Sequence, residues 1–251
     1  MSGVVIVVPT YNELPNLAGL VDDLHRHVPS AEILIVDDDS PDGTGQAAEL
    51  RSASDGRLHV LHRATKDGLG AAYRAGFAWA LAEGYDTVVQ MDADGSHRAA
   101  DVPVLLQALE TADVVLGSRW VPGGSVVGWP RARQLLSRGG SVFARACLPV
   151  TSADVTGGFR AFRREALERI EPQTVMSRGY CFQIEMLWRA NTSGCRVREV
   201  PIEFAERQEG KSKMSSSIVF EAMARVAWWG ITQSPKRLSR PARQPTGRIR
   251  A

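Results

Sequence analysis

A doubly wound α/β fold, with a mostly parallel sheet covered by helices on both faces, is what this sequence predicts. Short apolar, β-branched runs at residues 4–8, 33–36, 58–61, 87–91 and 114–116 have the length of buried strands. Helix-patterned stretches at 14–28, 45–51, 70–82 and 102–109 lie between them. Such alternation marks a parallel sheet, and ligands of such sheets sit beyond the carboxyl ends of the strands. The polar residues after each run are therefore where chemistry is sought.

The first run leads into Pro9-Thr10-Tyr11-Asn12-Glu13. It offers an aromatic face for a base and a carboxylate for base or ribose; a loop with a capping Asn explains it equally well. The second ends in Val36-Asp37-Asp38-Asp39-Ser40-Pro41-Asp42-Gly43-Thr44. Four carboxylates so close repel one another and need hydrogen-bond donors, a metal or exposure. The competing reading is an exposed turn in which Asp42 caps a helix.

The fourth run ends in Met91-Asp92-Ala93-Asp94-Gly95-Ser96-His97. Strand alternation puts Asp92 and Asp94 on one side. Two parallel carboxylates with the Ser96 hydroxyl suit a hard divalent cation, Mg²⁺ or Mn²⁺, which would bridge a diphosphate. His97 reads as structural. The fifth run enters Gly117-Ser118-Arg119-Trp120, after which acidity vanishes: no Asp or Glu separates Asp113 from Asp154, while Arg119, Arg131, Arg133, Arg138 and Arg145 all occur. Arg133 and Ser137, four apart, stack if helical and form a phosphate site. A solvated basic face is the alternative. A second basic segment, Arg207-Gln208-Glu209-Gly210-Lys211-Ser212-Lys213, carries a flexible glycine and can close over anionic ligands.

Residues 129–148 form an amphipathic helix pattern, with Leu135, Leu136, Val142, Phe143, Ala146 and Cys147 at helical spacing and Arg131, Arg138 and Arg145 on another face. Residues 197–204 read as a late strand. Residues 214–233 read as a second amphipathic helix, with Val219, Met223, Val226 and Ile231 near one face, Trp228 and Trp229 alongside, and Glu221 paired with Arg225. Residues 1–234 then form one domain and 235–251 a disordered basic tail. That tail holds six of the 30 basic residues and no acid, leaving 24 against 28 acidic in the body. A mildly acidic body excludes a general nucleic-acid footprint, and the tail alone seeks anions. Three cysteines without a CxxC pair read as reduced thiols. No secretory signal is evident, and no apolar run approaches the ~18 residues that span a bilayer. The expected location is cytoplasmic, peripheral on the cytosolic face of a membrane.

The order of these motifs, together with Gly68-Leu69-Gly70-Ala71-Ala72-Tyr73, Thr156-Gly157-Gly158-Phe159-Arg160, Gly179-Tyr180 and residues 200–214, resembles the dolichyl- or polyprenyl-phosphate mannose synthases, inverting glycosyltransferases of the GT-A fold. Ser40-Pro41-Asp42-Gly43-Thr44 combined with Val200-Pro201-Ile202 and Arg207…Ser212-Lys213 is the specific part, and the resemblance covers residues 3 to about 232. It implies that Pro9, Tyr11, Glu13, Val36 and Asp38 hold the nucleoside of GDP-mannose. Asp92, Ala93 and Asp94 would meet ribose, diphosphate and metal, with Ser96 completing the metal shell. Arg119 and Lys213 would contact the donor's phosphates or sugar, while Arg133, Ser137 and Arg207 hold the acceptor phosphate. Asp94, Arg119, Arg133 and Arg207 would carry catalysis. Two departures stand out. Gly95 replaces a usual bulkier residue, and the transmembrane helices that some members append are missing. Lipid access would then come from amphipathic helices or from a small membrane-anchoring protein or domain. The rivals are a UDP-glucose enzyme on the same lipid class, a non-catalytic nucleotide-sugar-binding protein, and a nucleotidyltransferase. The last usually carries a Gly-rich, Lys/Arg-containing loop after strand one, where this chain has Pro-Thr-Tyr-Asn-Glu.

Overall fold

The computed structural model of the chain describes residues 3–206 and 216–232. Five predicted strands appear as β1 (Val4–Thr10), β2 (Glu32–Asp37), β3 (Leu58–His62), β4 (Thr87–Gln90) and β5 (Val114–Ser118). The helices between them are α1 (Leu14–His27), α2 (Thr44–Ser52), α3 (Leu69–Ala82) and α4 (Val102–Ala108). The main sheet has seven strands in the order β3-β2-β1-β4-β7-β5-β8, where β7 is Arg160–Arg163 and β8 is Val197–Pro201. All pair in parallel except β7, which runs antiparallel to both β4 and β5.

Strand order turns outward from β1 in both directions, toward β2 and toward β4, so the crevice at a topological switch point opens beside the carboxyl ends of these strands. Every residue of β1 after Val4 is buried, because the sheet is covered on both sides. One core layer joins the sheet to α3 and α7 (Tyr180–Thr192) through Val7, Tyr73, Phe77, Phe162 and Phe182. The other joins it to α1 and α4 through Ile6, Leu17, Leu24, Ile35 and Leu105. Apolar area removed from water on both faces, at roughly 25 cal/mol per Å², is what holds the layers.

Three expectations need correction. The late strand at 197–204 is two strands in two sheets. Ladder pairing with β5 ends at Ser118 opposite Pro201, and the chain crosses at buried Ile202 to form β9 (Glu203–Ala205), paired with β6 (Ser125–Val127). Asp92 and Asp94 are not on a strand: β4 stops at Gln90, opposite Arg160, where β7 begins. Trp228 and Trp229 do not lie together on α8 (Ser216–Thr232). Trp229 stacks on Trp188 at 5.7 Å, whereas Trp228 is 64% exposed and Val226 is buried. The side chains of Val219 and Glu221, and the tail, lie outside the described residues.

The helix expected at 129–148 is α5 (Arg131–Cys147), but Leu135, Leu136 and Val142 of its apolar set are exposed; Ser141 and Ala144 face the core instead. It meets α8 closely: a Cβ on Gly230 would lie 2.6 Å from the Cys147 carbonyl oxygen, so only glycine fits that approach.

Candidate active site

The acid run after β2 resolves into four separate environments. Asp37 accepts from the Thr10 hydroxyl (2.9 Å), the Ser40 amide (3.0 Å) and the Ser40 hydroxyl (2.5 Å). Asp42 accepts from the amides of Thr44 (3.0 Å) and Leu14 (3.1 Å), capping both α2 and α1. The hydroxyls act as relays: Ser40 Oγ accepts from the Asn12 amide, and Thr44 Oγ1 accepts from the Glu13 amide. Asp42 thus serves the first amides of both helices from outside the N-cap position, which Gly43 holds in α2. The turn is not the exposed one of the competing reading: Asp37, Asp38 and Ser40 are buried. Asn12 (φ 60°) and Asp39 (φ 57°) take left-handed backbone at the two strand ends, a conformation that Asn and Asp tolerate better than most residues.

Asp38 differs. Its buried carboxylate is paired with Arg63, and burial pushes its pKa up while Arg63 opposes the shift. Tyr11 lies half-buried with the Lys66 ammonium 3.2 Å from its ring centroid, so one ring face is already covered by a cation. Glu13 accepts from the Asn16 side chain at 2.8 Å. Pro9 is buried, and Val36 is fully buried with both neighbours in ladder pairing. Val36 thus supports the floor of the crevice from within; it presents no atom to a ligand.

Beyond β4, Asp92 is held from two sides. The Tyr73 hydroxyl donates to Asp92 Oδ1 at 2.6 Å, and the Asp92 amide donates to His97 Nδ1 at 3.1 Å. That bond leaves the ring proton on Nε2 of a neutral His97, which stacks on Phe159 at 4.9 Å. His97 is structural, as expected. Asp94 Oδ1 accepts from the Ser96 amide (3.1 Å) and hydroxyl (2.5 Å), so hydrogen bonding rather than strand alternation sets this loop. Gly95 sits at φ 74°, where a side chain would be strained, and Ala93 is buried.

A divalent cation fits this arrangement. The donor set is two carboxylates and a hydroxyl, all hard oxygens. Gly158 keeps the space beside Asp92 Oδ2 open: a Cβ there would lie 3.5 Å from that oxygen. Among the described residues no cluster of three acidic, His or Cys ligands occurs, so a cation here would take its remaining ligands from substrate phosphate and water. A cavity of about 550 Å³ lies between α1 and residues 93–100, on the face of the sheet opposite Tyr73.

Arg119 is not an uncommitted phosphate ligand. Its Nε and Nη2 each donate to the buried Asp154 carboxylate at 2.6 Å, and Nη2 reaches Thr156 Oγ1 at 3.0 Å. Asp154 also accepts from the Arg119 amide, while Glu199 receives the amides of Ala153 and Asp154. Arg160, fully buried, donates to the carbonyls of Val155, Gly157 and Gln183, and burial pulls its pKa down to about 10. These struts fix the 154–158 loop beside Asp92. Arg133 and Ser137 do lie one turn apart on α5, and Arg133 Nη1 donates to Glu206 at 3.2 Å. Arg207 and Lys213 lie outside the described residues.

Sequence reasoning missed Arg63, Lys66, Tyr73, Asp154 and Arg160 as site-builders. Tyr73 and Arg160 stood at the ends of two quoted motifs without a role, and Asp154 was the first acid after the long acid-free stretch; Arg63 and Lys66 had left no trace.

The family model described as glycosyl transferase family 2 matches residues 5–171. The chain belongs to glycosyl transferase family 2. This glycosyltransferase is 50% identical over 228 residues to the undecaprenyl-phosphate mannosyltransferase of Micrococcus luteus, covering 91% of this chain and 94% of that protein. It is 52% identical to the polyprenol monophosphomannose synthase of Mycolicibacterium smegmatis, covering 90% and 86%. Among solved structures it resembles a Pyrobaculum calidifontis mannosyltransferase in complex with GDP-Man and Mn²⁺ (TM-score 0.59, 20% identity, 92% of this chain and 63% of that one). It likewise resembles the Mycobacterium tuberculosis glucosyl-3-phosphoglycerate synthase with Mn²⁺ and UDP (TM-score 0.61, 21% identity, 92% and 79%). At that identity the structural likeness speaks for the fold: a GT-A α/β domain.

Proposed function

We propose that this glycosyltransferase moves mannose from GDP-mannose to a polyprenyl (dolichyl-type) monophosphate with inversion, giving polyprenyl-phosphate mannose at the cytosolic face of a membrane. One observation carries the reading. Phe204 packs edge-on against His97 and against Trp129, 5.3 Å from each, so the acid loop of Asp92–Asp94 adjoins the acid-free arginine segment. A nucleotide-sugar held through a cation and a second, uncomplexed phosphate need two such zones side by side. The names of the two curated relatives support the same acceptor class.

In this reading an acceptor phosphate oxygen attacks the anomeric carbon, and the bond from that carbon to GDP breaks with its electron pair leaving on the diphosphate. A phosphate monoester loses its second proton near pH 6, so the attacking oxygen needs no general base. Asp92, Asp94 and Ser96 would hold a Mg²⁺ or Mn²⁺ ion, which would supply charge neutralisation on the departing diphosphate. Tyr73 and His97 fix the carboxylate and backbone of Asp92, and Ser96 fixes Asp94. Tyr11, Glu13 and Asp38 hold the nucleoside. Arg133 and Ser137, with Arg207, hold the acceptor phosphate; Arg119 through Nη1, with Lys213, serves the donor. Alignment of two anions that repel one another is the protein's main contribution.

The test incubates purified protein with Mn²⁺ or Mg²⁺, a polyprenyl phosphate, and either GDP-mannose or UDP-glucose, followed by mass analysis of the lipid. A hexosyl lipid phosphate formed from GDP-mannose alone is the expected result. Product from UDP-glucose alone transfers the assignment to the glucosyl reading, and no lipid product from either donor refutes both.

A further inference from the structure

Two tryptophans in the basic zone have polar atoms that the described residues leave unanswered. Trp120 Nε1, Trp129 Nε1 and Arg133 Nε are shielded from solvent and find no acceptor among the described residues, and the neighbouring Ser137 Oγ is also unpaired there. Three of these four are obligate donors: an indole or guanidinium N–H cannot accept. Those three therefore cannot satisfy one another, and among the described residues nothing supplies the acceptor oxygens they need. A shielded donor left unmet costs about 1–3 kcal/mol, so such a cluster is unfavourable without a ligand.

Trp120, Trp129 and Arg133 belong to one cation–aromatic cluster with Arg119 and Arg138. The guanidinium carbon of Arg119 lies 5.4 Å from the Trp120 ring and 5.2 Å from the Trp129 ring, which places the two indoles around one buried cation. The Arg133 carbon lies 3.9 Å over Trp129, and the Arg138 carbon 4.5 Å over Trp120. Arg133 is only partly buried and Arg138 is exposed. Each indole is thus covered by a long cationic side chain that can swing aside. Glu206 holds Arg133 Nη1 at 3.2 Å, and Nε is left without an acceptor among the described residues. Arg119 and Arg133 are already paired with Asp154 and Glu206. It is therefore the unmet N–H donors between aromatic walls, with Arg138 alongside, that suit a tetrahedral oxyanion.

We propose that Trp120 and Trp129 are phosphate-binding residues, donating their indole N–H groups to oxygens of the acceptor's phosphate monoester once Arg133 and Arg138 have turned onto it. This deepens the acceptor assignment of Arg133 and Ser137 and rests on that reading for the identity of the phosphate, but not for the chemistry of the cluster.

The experiment titrates the ¹⁵N-labelled full chain, without nucleotide or metal, with farnesyl phosphate and separately with inorganic phosphate. The six indole cross-peaks are assigned with single Trp→Phe variants. Farnesyl phosphate is expected to move the Trp120 and Trp129 indole protons downfield saturably, leaving Trp79 and Trp188 in place; inorganic phosphate does the same more weakly. In the transfer assay Trp120→Phe and Trp129→Phe, which keep an aromatic side chain but remove the N–H, each raise KM for the polyprenyl phosphate about tenfold, as loss of one hydrogen bond to a charged group does, and change KM for the sugar donor less than twofold. Unmoved indole peaks under both phosphates overturn the proposal, and so does an unchanged acceptor KM in both variants. Mannosyl transfer with silent indoles sinks this inference and spares the proposed function; shifting indoles without any transfer does the reverse.

Discussion

Tyr73 donates its hydroxyl to Asp92 Oδ1 at 2.6 Å from a fully buried position between Phe77 and Phe182. Burial and the Asp92 charge push the Tyr73 pKa far above its ordinary range, so the proton stays on Tyr73 and the bond persists throughout the working pH range. A helix residue at α3 thereby sets the rotamer of a carboxylate in the β4 loop. Tyr73→Phe keeps the ring packing and removes only this restraint. Half-maximal activity should then require about tenfold more Mn²⁺, in the range typical of groups that orient metal ligands. A metal titration unchanged from the wild type would show that Tyr73 is mere packing.

Asp94→Asn tests the cation itself. The variant should remain folded, because Asn Oδ1 still accepts from the Ser96 amide that sets the loop. Transfer should fall by at least about a hundredfold, and chelator should silence the wild type until Mg²⁺ or Mn²⁺ is restored. Full activity of Asp94→Asn in chelator would remove the cation from the mechanism.

Arg133→Ala should act on the acceptor side. Its ion pair with half-exposed Glu206 contributes at most about 1 kcal/mol to stability, so the fold survives. Turnover should drop strongly while GDP affinity, followed by calorimetry, stays within a few-fold. An equal loss of GDP affinity would move Arg133 to the donor site.

How much of this was legible beforehand depends on which forces were local. β1 to β5 and α1 to α4 could be read because their apolar spacing reports burial directly. β7 could not: Arg160-Ala161-Phe162-Arg163 is four residues long, begins with an arginine buried against backbone carbonyls, and pairs antiparallel with two distant strands. The acids after β2 were visible as a cluster, yet their division into caps and a paired Asp38 rests on Arg63, 25 positions away. The Arg119–Asp154 pair spans 35 residues and is invisible to any window. The exposed leucines of α5 carry the same period as buried ones, so spacing alone could not tell which face meets the core.

Asp113 ties the start of β5 to Arg196, just before β8, accepting from the Arg196 amide (2.8 Å) and guanidinium (2.9 Å). Those bonds hold its pKa down at about 2, below the ordinary 3.8. A depressed carboxylate contributes stability that is present above the unfolded value and lost as pH falls through the folded one. Arg196 is largely exposed, so screening limits the effect to about 1 kcal/mol at pH 7. Asp113→Asn should therefore lower denaturation stability at pH 7 and match the wild type near pH 2. A deficit that persists undiminished at pH 2 would assign the loss to packing.

Two adjacent tryptophans of α8 have different surroundings, Trp228 being exposed and Trp229 stacked on Trp188, and a vesicle assay can tell them apart. Among the described residues no helix is long and apolar enough to cross a bilayer. Exposed Leu135, Leu136 and Val142 of α5 lie on a helix packed against α8, whose Met223, Trp228 and Ile231 are also exposed. Such a surface suits burial at the headgroup boundary, a depth that Trp favours. Trp228→Ser should weaken flotation with anionic vesicles even at high salt, where only the apolar term survives, and leave Tm nearly unchanged. Trp229→Ser should do the opposite, because Trp229 stacks on Trp188. Truncation after Ser234 removes six basic residues, each contributing about 1 kcal/mol near an anionic surface at low salt, so its defect should fade as salt rises. Wild-type flotation by Trp228→Ser and by Leu135→Ser, at high salt, would rule out both helices as the anchor.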